Sequence, residues 1–271
     1  MIEFNQVYNE SCITGMQKLD DDCIDLVVTS PPYDNLRTYN DSSSWNFNIF
    51  TEVAHELIRV LKPGGVIMWN VGDAVVDGSE TGSSFRQALY FKDSGLNLHD
   101  TMIYQKPSAA YPASHKSNRY SQVFEYCFVL SKGKPKTSNL IRDKKNNWAG
   151  SQNFGTASSR QKDGSLKKGG TITVAPYGIR DNIWRIVNTH GFAQSDKDVY
   201  QHPATMPEEL ARGHIITWSN PGDVVLDPFM GSGTTARMAF REGRNWIGFE
   251  IDPEYYSLCV KHTTFNSVFD K

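Results

Sequence analysis

One stretch of the sequence decides the fold of this protein, Asp223-Val-Val-Leu-Asp-Pro-Phe-Met-Gly-Ser-Gly-Thr-Thr235. It begins with a short β-branched run, 223–226, that is typical of a buried strand. A glycine-rich turn follows, then a helical run over 234–241 and a second strand-like run over 245–251. Strand, turn, helix and strand within about thirty residues form a βαβ unit, which predicts a parallel sheet with helices packed on it.

The rest of the chain repeats this alternation on both sides of an interruption. Apolar strand-like and helical runs alternate in 1–131 and again in 201–271, whereas 132–200 is basic, rich in glycine and poor in apolar residues. We therefore predict an α/β fold with a mostly parallel central sheet, helices on both faces, and 132–200 as an insert. The further predicted strands are 24–29, 66–71, 101–105 and 124–130, and the further predicted helices are 48–61, 82–93 and 207–219.

Composition argues against several classes of protein. The 271 residues contain no apolar run of about 18 residues and no basic stretch followed by an apolar one at the N-terminus, so neither a membrane span nor a signal peptide is predicted. The four cysteines are scattered, without a Cys-x-x-Cys pair, which favours reduced thiols that pack like small apolar side chains and predicts no metal site. An intracellular protein is expected.

Charge is segregated along the chain. Residues 132–185 carry twelve lysines and arginines against three aspartates, a net charge of +9, which leaves −11 for the rest of a chain whose total is −2. A solvated loop would account for the charge alone, but Trp148, Phe154, Tyr177 and Trp184 stand among these cations. Cations interleaved with aromatic and amide side chains can neutralise phosphates, stack on bases and contact base edges. The insert is therefore predicted to bind nucleic acid, with Lys144, Lys145, Arg160, Lys167 and Lys168 as the candidate cations.

The turn over 227–235 has the properties of a binding site for a nucleoside cofactor. Its glycines let the backbone approach a ligand, and Glu250 at the end of the next strand can accept hydrogen bonds from ribose hydroxyls. A triphosphate loop would need a lysine before the Ser or Thr, and that lysine is missing. Ala236 stands where a dinucleotide site has a third glycine, a departure that some such sites tolerate. Asp227 suits a cationic ligand, such as a sulfonium, better than a pyrophosphate.

A second candidate site, Thr29-Ser30-Pro31-Pro32-Tyr33, closes the first strand. Two consecutive prolines fix φ and remove both backbone donors, so the carbonyls of Ser30 and Pro31 are held rigidly and can accept hydrogen bonds from an NH2 group. Tyr33 offers an aromatic face to a planar base. Taken alone, Pro-Pro-Tyr could be a polyproline turn, but both motifs follow parallel strands, and ligands bind at the carboxyl ends of such strands.

Together these motifs resemble those of the amino-methyltransferases of DNA. That family has Asp, Asn or Ser followed by Pro-Pro and an aromatic residue at its target-base site, and Asp-Pro-Phe-x-Gly-x-Gly-Thr at its cofactor site. The resemblance covers nearly the whole chain and includes Lys62-Pro63-Gly64-Gly65, where we expect the 48–61 helix to end because proline cannot continue it and glycine allows a left-handed exit. It also includes 202–205 and 249–252. The target-base motif comes first, which is the circularly permuted order of the beta class, and it implies a Rossmann-like methyltransferase fold with an inserted target-recognition segment.

The resemblance also implies a role for each motif. The residues implied to bind and orient the target base are Ser30, Pro31, Pro32 and Tyr33. The loop over 9–12 would approach the adenine of the cofactor, although the acidic residue that many members carry there has no unambiguous match. The implied cofactor is S-adenosylmethionine, which leaves as S-adenosylhomocysteine. The residues implied to hold it are Asp227, Pro228, Phe229, Gly231, Gly233, Thr234, Glu250, His202, Ala204 and Thr205.

The implied reaction is methyl transfer to the exocyclic amine of a base that is flipped out of duplex DNA. Hydrogen bonds from the amine to the Ser30 side chain and the Pro31 carbonyl would free its lone pair, and Tyr33 would stack on the base. In the family, Ser-Pro-Pro-Tyr preceded by Thr goes mostly with cytosine N4, and Asp-Pro-Pro-Tyr mostly with adenine N6. Cytosine N4 is expected here, and adenine N6 is the alternative.

Two other classes of function stay open. A methyltransferase of RNA or of a protein amide would use the same fold and a related loop, but the basic insert argues for nucleic acid. An inactive DNA-binding module is the second, and the intact motifs argue against it. The expected partners are double-stranded DNA, a second copy of the chain and a cognate restriction endonuclease. The expected location is the cytoplasm, in association with the nucleoid, of a prokaryotic or phage system.

Overall fold

The computed structural model describes residues 2–33, 45–109, 117–153, 158–168, 172–187 and 205–264. The chain divides into two compact units, one made of 1–139 with 182–271 and the other of 140–181. The helices are α1 (Cys12–Met16), α2 (Phe47–Val60), α3 (Ser83–Asp93), α4 (Glu208–Trp218), α5 (Thr234–Arg241) and α6 (Pro253–Thr263). The strands of the larger unit are β1 (Gln6–Tyr8), β2 (Ile24–Thr29), β3 (Leu61–Val71), β4 (Val75–Val76), β5 (Ser79–Glu80), β6 (Asn97–Gln105), β7 (Phe124–Ser131), β14 (Ile183–Arg185), β15 (Val224–Asp227) and β16 (Asn245–Phe249). Those of the smaller unit are β8 (Lys144–Lys145), β9 (Gln152–Asn153), β10 (Ser158–Arg160), β11 (Leu166–Lys168), β12 (Ile172–Thr173) and β13 (Tyr177–Gly178).

An eight-stranded sheet forms the centre of the larger unit. Its strand order is β1, β16, β15, β2, β3, β7, β6, β14. Neighbouring strands of this sheet run parallel, except that β7 is antiparallel to both β3 and β6. Helices α1, α2 and α3 pack as one layer and α4, α5 and α6 as another. The predicted α/β fold, with a mostly parallel sheet between helices, is therefore confirmed.

Helix α2 illustrates how the sequence produces one of these layers. The Asn46 side chain accepts hydrogen bonds from two amides of the first turn and so caps the helix. Phe50, Val53, Leu57 and Val60 recur at helical spacing, and all four side chains are fully buried in the core. The face that they form is the one that the sequence pattern predicted.

The junction between α2 and β3 differs from the prediction. The strand begins at Leu61 rather than at Val66, because Leu61 already pairs with β2. Residues 62–65 form a bulge between that pair and the next one. Gly64 has a φ of +80°, so the left-handed residue that was expected at the helix end lies within the bulge instead. The helix itself ends on an extended residue, Leu61.

Several elements of the sheet and its helices were not predicted. Strands β1 and β14 are three residues long, and their pairing with β16 and β6 is non-local, so neither has a distinct sequence pattern. Helix α6 did have a signal, because Asp252 caps it and Pro253 occupies its first turn. None of the described helices is long and apolar enough to cross a membrane.

The sheet order brings the two sequence motifs together. Strands β2 and β15, which carry the diproline and glycine turns at their ends, are parallel neighbours, with Val27 opposite Leu226. Their carboxyl ends therefore meet at the same edge of the sheet, which is where α/β proteins bind ligands.

The smaller unit is a set of nested antiparallel pairs. β8 pairs with β13, β9 with β12 and β10 with β11, and each pair lies inside the previous one along the chain. A turn over 161–165 closes the innermost pair, with Gly164 at a φ of +83°. None of the described side chains of this unit is buried, so its form depends on ladder hydrogen bonds and on ion pairs such as Arg180 with Asp143.

Candidate active site

A cleft with a volume of about 250 Å³ lies where β2 and β15 end. Ser30 and Pro32 of the diproline turn line it together with Gly231 of the glycine turn. The two motifs are far apart in the chain, yet they share one cavity. This proximity is the spatial arrangement that methyl transfer between a bound cofactor and a bound base would need.

The structure distributes the predicted site residues unevenly around this cleft. The predicted cofactor residues that line it are Asp227, Pro228, Phe229, Gly231, Thr234 and Glu250. Gly233, Thr205, Pro31 and Tyr33 are not among its lining residues, although Met206 next to Thr205 is. His202 and Ala204 lie outside the described residues. Ser11 and Cys12 line the cleft, so part of the 9–12 loop does reach it.

The glycine turn is shaped by two residues with positive φ. Gly231 and Gly233 have φ values of +52° and +84°, a region that side chains disfavour. A Cβ on Gly233 would also lie 3.0 Å from the Cys259 sulfur. Gly233 therefore contributes to the site by letting α5 start close to α6 rather than by lining the cleft.

Asp227 is buried and fully engaged with the protein. Its Oδ1 accepts from the Thr29 hydroxyl at 2.6 Å and from the Phe229 amide at 3.0 Å, and its Oδ2 accepts from the Thr235 hydroxyl at 2.7 Å. Burial raises the pKa of Asp227 to about 6, although these three hydrogen bonds oppose the rise. The carboxylate thus joins the end of β2 to both ends of the glycine turn.

Glu250 lies at the end of β16 and holds the same turn from the other side. Its Oε2 accepts from the Gly231 amide at 2.8 Å, and its Oε1 accepts from the Asp252 amide at 2.9 Å. Asn9 donates to the backbone carbonyl of Glu250 at 2.8 Å. Burial raises the pKa of Glu250, and the two backbone hydrogen bonds oppose the rise. Each oxygen of the Glu250 carboxylate can still accept another hydrogen bond, for example from a ribose hydroxyl.

A buried polar network lies behind the diproline turn. Ser30 Oγ is 3.0 Å from the Tyr33 phenol oxygen, which lies 2.9 Å from Glu125 Oε2. Asn70 Nδ2 donates to the same phenol oxygen at 3.0 Å and to Glu125 Oε2 at 2.8 Å. Lys106 forms an ion pair with Glu125 Oε1. Tyr33 is only 7% exposed, so its role as a stacking surface for the base stays a prediction.

Neither Trp45, an aromatic residue that lines the cleft, nor this buried polar network was predicted from the sequence. Trp45 lines the cleft and packs edge-on against Phe229, with ring centroids 5.3 Å apart. It stands alone before α2, so no local pattern marks it. Glu125 did give a signal, because it is a charged residue inside the apolar run of β7. Such a residue is buried only when it is paired, which points to a specific partner.

The residues of the cleft fit an adenosine-type cofactor with a cationic centre. Thr234 Oγ1 is buried at the cleft and has no hydrogen-bond partner among the described residues, so a polar ligand group would satisfy it. Glu250 supplies an anionic acceptor, and Trp45 and Phe229 supply aromatic surface. The fold and the lining of this cleft together indicate a transferase that uses a nucleoside cofactor.

A family model of N6/N4-type DNA methylases matches residues 24–261. The chain therefore belongs to the N6/N4 family of DNA methylases, and it is an S-adenosylmethionine-dependent amino-methyltransferase of DNA. The family and the cofactor that the motifs implied are thereby confirmed.

Similar proteins are found along nearly the full chain. The orphan methyltransferase M.BamHII of Bacillus amyloliquefaciens is 54% identical over 244 residues, which are 90% of this chain and 89% of that protein. The type II methyltransferase M.BglII of Bacillus subtilis is 28% identical and covers 95% of this chain and 68% of its own length. The structure of the cytosine-N4-specific PvuII DNA methyltransferase aligns with a TM-score of 0.71 at 23% identity, over 98% of this chain and 88% of that one. At that identity the structural likeness shows the fold.

We predict that replacing Asp227 by asparagine removes a pH dependence of stability. Because the folded-state pKa is raised, the contribution of Asp227 to the free energy of unfolding is complete below its ordinary pKa of 3.8 and is lost as the pH rises through about 6. The difference between these pKa values corresponds to about 3 kcal/mol. Urea unfolding of both proteins from pH 4 to 8 should therefore show the advantage of the wild type over Asp227→Asn shrinking by about that amount.

The exposed Asp93 provides the control for this experiment. Asp93→Asn removes the same unit of charge from the surface, so it separates an effect of net charge from an effect of burial. A constant gap between the wild type and Asp227→Asn would contradict the raised pKa of Asp227.

Proposed function

We propose that this enzyme methylates the N4 amine of a cytosine that is flipped out of duplex DNA. The single observation that carries the proposal is the shared cleft, which Ser30 and Gly231 both line. Ser-Pro-Pro-Tyr preceded by Thr29 favours cytosine, and a protein that aligns over 98% of this chain is named cytosine-N4-specific. Adenine N6 is the alternative, because it is also an aromatic amine and needs the same hydrogen-bond acceptors and the same alignment with the methyl group.

The residues of the cleft would hold the cofactor by complementary chemistry. Glu250 would accept hydrogen bonds from the ribose hydroxyls, and Thr234 would bond a polar group of the methionine part. Trp45 and Phe229 would offer aromatic surface to the adenosine or the sulfonium. When bound, S-adenosylmethionine supplies an electrophilic methyl group. His202, Ala204 and Thr205 stay proposed contacts of the methionine end.

The diproline turn would bind the base amine. The Ser30 side chain and the Pro31 carbonyl would accept its two hydrogens, which weakens the delocalisation of the nitrogen lone pair into the ring. Held in this way, the amine nitrogen would face the electrophilic methyl group that the cofactor supplies. The sulfur would keep the electron pair of the broken bond, and the proton that the nitrogen gives up would pass to water. Positioning accounts for most of the catalysis, because the sulfonium is already a reactive leaving group.

We also propose 132–200 as the target-recognition segment between the catalytic residues 1–131 and the cofactor-binding residues 201–271. A two-stranded antiparallel ribbon fits the major groove of DNA, and the nested pairs of the smaller unit have that form. Lys145, Arg160 and Lys167 are exposed on it, and Trp148 is 77% exposed. Lys144 is paired with Asp181, so it would contribute less to phosphate binding.

The other expected partners are also proposals. A dimer, a cognate restriction endonuclease and a location at the nucleoid would suit a bacterial methyltransferase of this family. An RNA or protein-amide substrate and an inactive DNA-binding role are the competing functions, and the first experiment below separates them.

We expect the product nucleoside to be N4-methylcytosine. The protein is incubated with duplex DNA and S-adenosylmethionine carrying a labelled methyl group, the DNA is digested, and the labelled nucleoside is identified by mass. N6-methyladenine would establish the alternative base. Label that enters RNA or peptide competitors in preference to duplex DNA, or no label in any of them, would contradict the proposal.

Replacing Glu250 by alanine should weaken cofactor binding by about 10- to 100-fold, because a hydrogen bond to a charged group contributes about 1.5–3 kcal/mol. Titration calorimetry with S-adenosylhomocysteine measures the dissociation constant. Glu254→Ala removes an exposed carboxylate four residues further on and should leave the constant unchanged. An unchanged constant for Glu250→Ala would remove Glu250 from the cofactor site.

Reversing the charges of Lys145, Arg160 and Lys167 to glutamate should weaken DNA binding and reduce its dependence on salt. Each lost phosphate contact lowers the slope of log K against log salt by about 0.9. Lys92, Lys134 and Lys261 are exposed lysines of the larger unit, and their reversal is the matched control. Equal losses in the two triple variants would show only an effect of net charge and would contradict the proposed recognition surface.

A further inference from the structure

The buried network behind Ser30 has a property that the reaction can use. Its centre is the phenol of Tyr33, which lies within hydrogen-bond distance of Ser30, Asn70 and Glu125. These groups do not line the cleft, apart from Ser30. They are nevertheless connected to the Ser30 hydroxyl, which lies at the cleft and belongs to the proposed base site.

The charge on Glu125 fixes which group donates in this network. Burial of Glu125 would raise its pKa, but the neighbouring Lys106 ammonium and the hydrogen bonds from Lys106, Asn70 and Tyr33 hold the pKa below its usual range. An ionised carboxylate accepts hydrogen bonds and cannot donate. The single proton of the Tyr33 phenol is therefore donated to Glu125 Oε2.

The direction of the remaining hydrogen bonds follows from that proton. Since the Tyr33 proton points at Glu125, the phenol oxygen must accept from Ser30 Oγ. The Asn70 amide is oriented consistently, because its nitrogen faces Glu125 while its oxygen accepts from the Cys127 thiol at 3.1 Å. The only hydroxyl proton of Ser30 is thus engaged away from the cleft, and its lone pairs remain for an amine donor.

We propose that Glu125, Asn70 and Lys106 are positioning residues that act through Tyr33 to make the Ser30 hydroxyl an acceptor for the base amine. The inference rests on the proposed function of Ser30 as that acceptor. The network determines the direction in which the Ser30 hydroxyl points. It is not proposed to accept the proton of the base amine, because the Glu125 carboxylate has a low pKa and is therefore a weak base. A serine that is free to rotate would present its own proton to the amine in some orientations and bind it less productively.

The first test removes the phenol hydroxyl. Tyr33→Phe should lower kcat at least 10-fold, because Ser30 loses its acceptor, while the dissociation constant of S-adenosylmethionine changes less than twofold. Tyr90→Phe is the matched control, since it removes a phenol that bonds only to His55 at 2.8 Å among the contacts described for it. A wild-type kcat in Tyr33→Phe would overturn the inference.

The second test uses pH to separate positioning from mere support of the fold. In Lys106→Met, burial of Glu125 is no longer offset by a cation, so its carboxyl should protonate within the range of the assay. A protonated Glu125 can donate to Tyr33, which frees the Tyr33 proton to point at Ser30 and reverses the hydroxyl. The kcat of Lys106→Met divided by that of the wild type should therefore fall as the pH falls from 8 to 5, while the same ratio for Lys106→Arg stays constant.

The outcomes distinguish this inference from the proposed function. A loss in Lys106→Met that is the same at every pH would indicate a structural role and overturn the inference. Glu125→Gln combined with Tyr33→Phe should be no worse than Tyr33→Phe alone, and losses that multiply would also overturn it. If the wild type methylates cytosine but Tyr33→Phe is unimpaired, only the inference fails. If the wild type methylates no base, the proposed function fails.

Discussion

The site depends on the hydrogen bonds that join the end of β2 to the glycine turn through one buried carboxylate. Asp227 accepts from Thr29 on β2 and from Thr235 at the start of α5. Sheet pairing alone aligns the two strands, but the carboxylate also fixes the turn against the residue that precedes Ser30. Burying a charge is costly unless it is well bonded, and the raised pKa of Asp227 reports that cost. Precise placement of the two motifs is thus gained at some expense of stability.

Two acidic residues of the cleft illustrate how position determines what a carboxylate can do. Asp227 has its oxygens committed to two hydroxyls and an amide, so little capacity is left for a ligand. Glu250 accepts one backbone amide on each oxygen and lies at the end of a strand. Asp227 was predicted to suit a cationic ligand, and the hydrogen bonds described for it are all made within the protein. Because Asp227 also lines the cleft, its attraction for a sulfonium stays a prediction.

Much of this architecture could be predicted from patterns of a few residues. The core strands β2 and β15 and the helices α2 and α5 follow from local apolar spacing, and the two motifs follow from glycine and proline chemistry. The bulge over 62–65 could not be predicted, because it arises from the pairing of Leu61 with β2. Trp45 could not be predicted either, since its contact with Phe229 depends on how α2 docks. Non-local pairing and packing leave no local signature.

The strand direction of β7 explains why the polar network lies behind the diproline turn. In a fully parallel sheet, only carboxyl ends would reach this edge. Because β7 runs antiparallel, its first residues lie at the edge where β3 and β6 end, with Glu125 opposite Tyr104 and Cys127 opposite Asn70. A buried acid near the start of β7 can therefore contact Asn70 at the end of one neighbour and Lys106 just after the other. The reversed strand thus adds a carboxylate from the start of a strand to the edge where the parallel strands β15 and β16 already place Asp227 and Glu250.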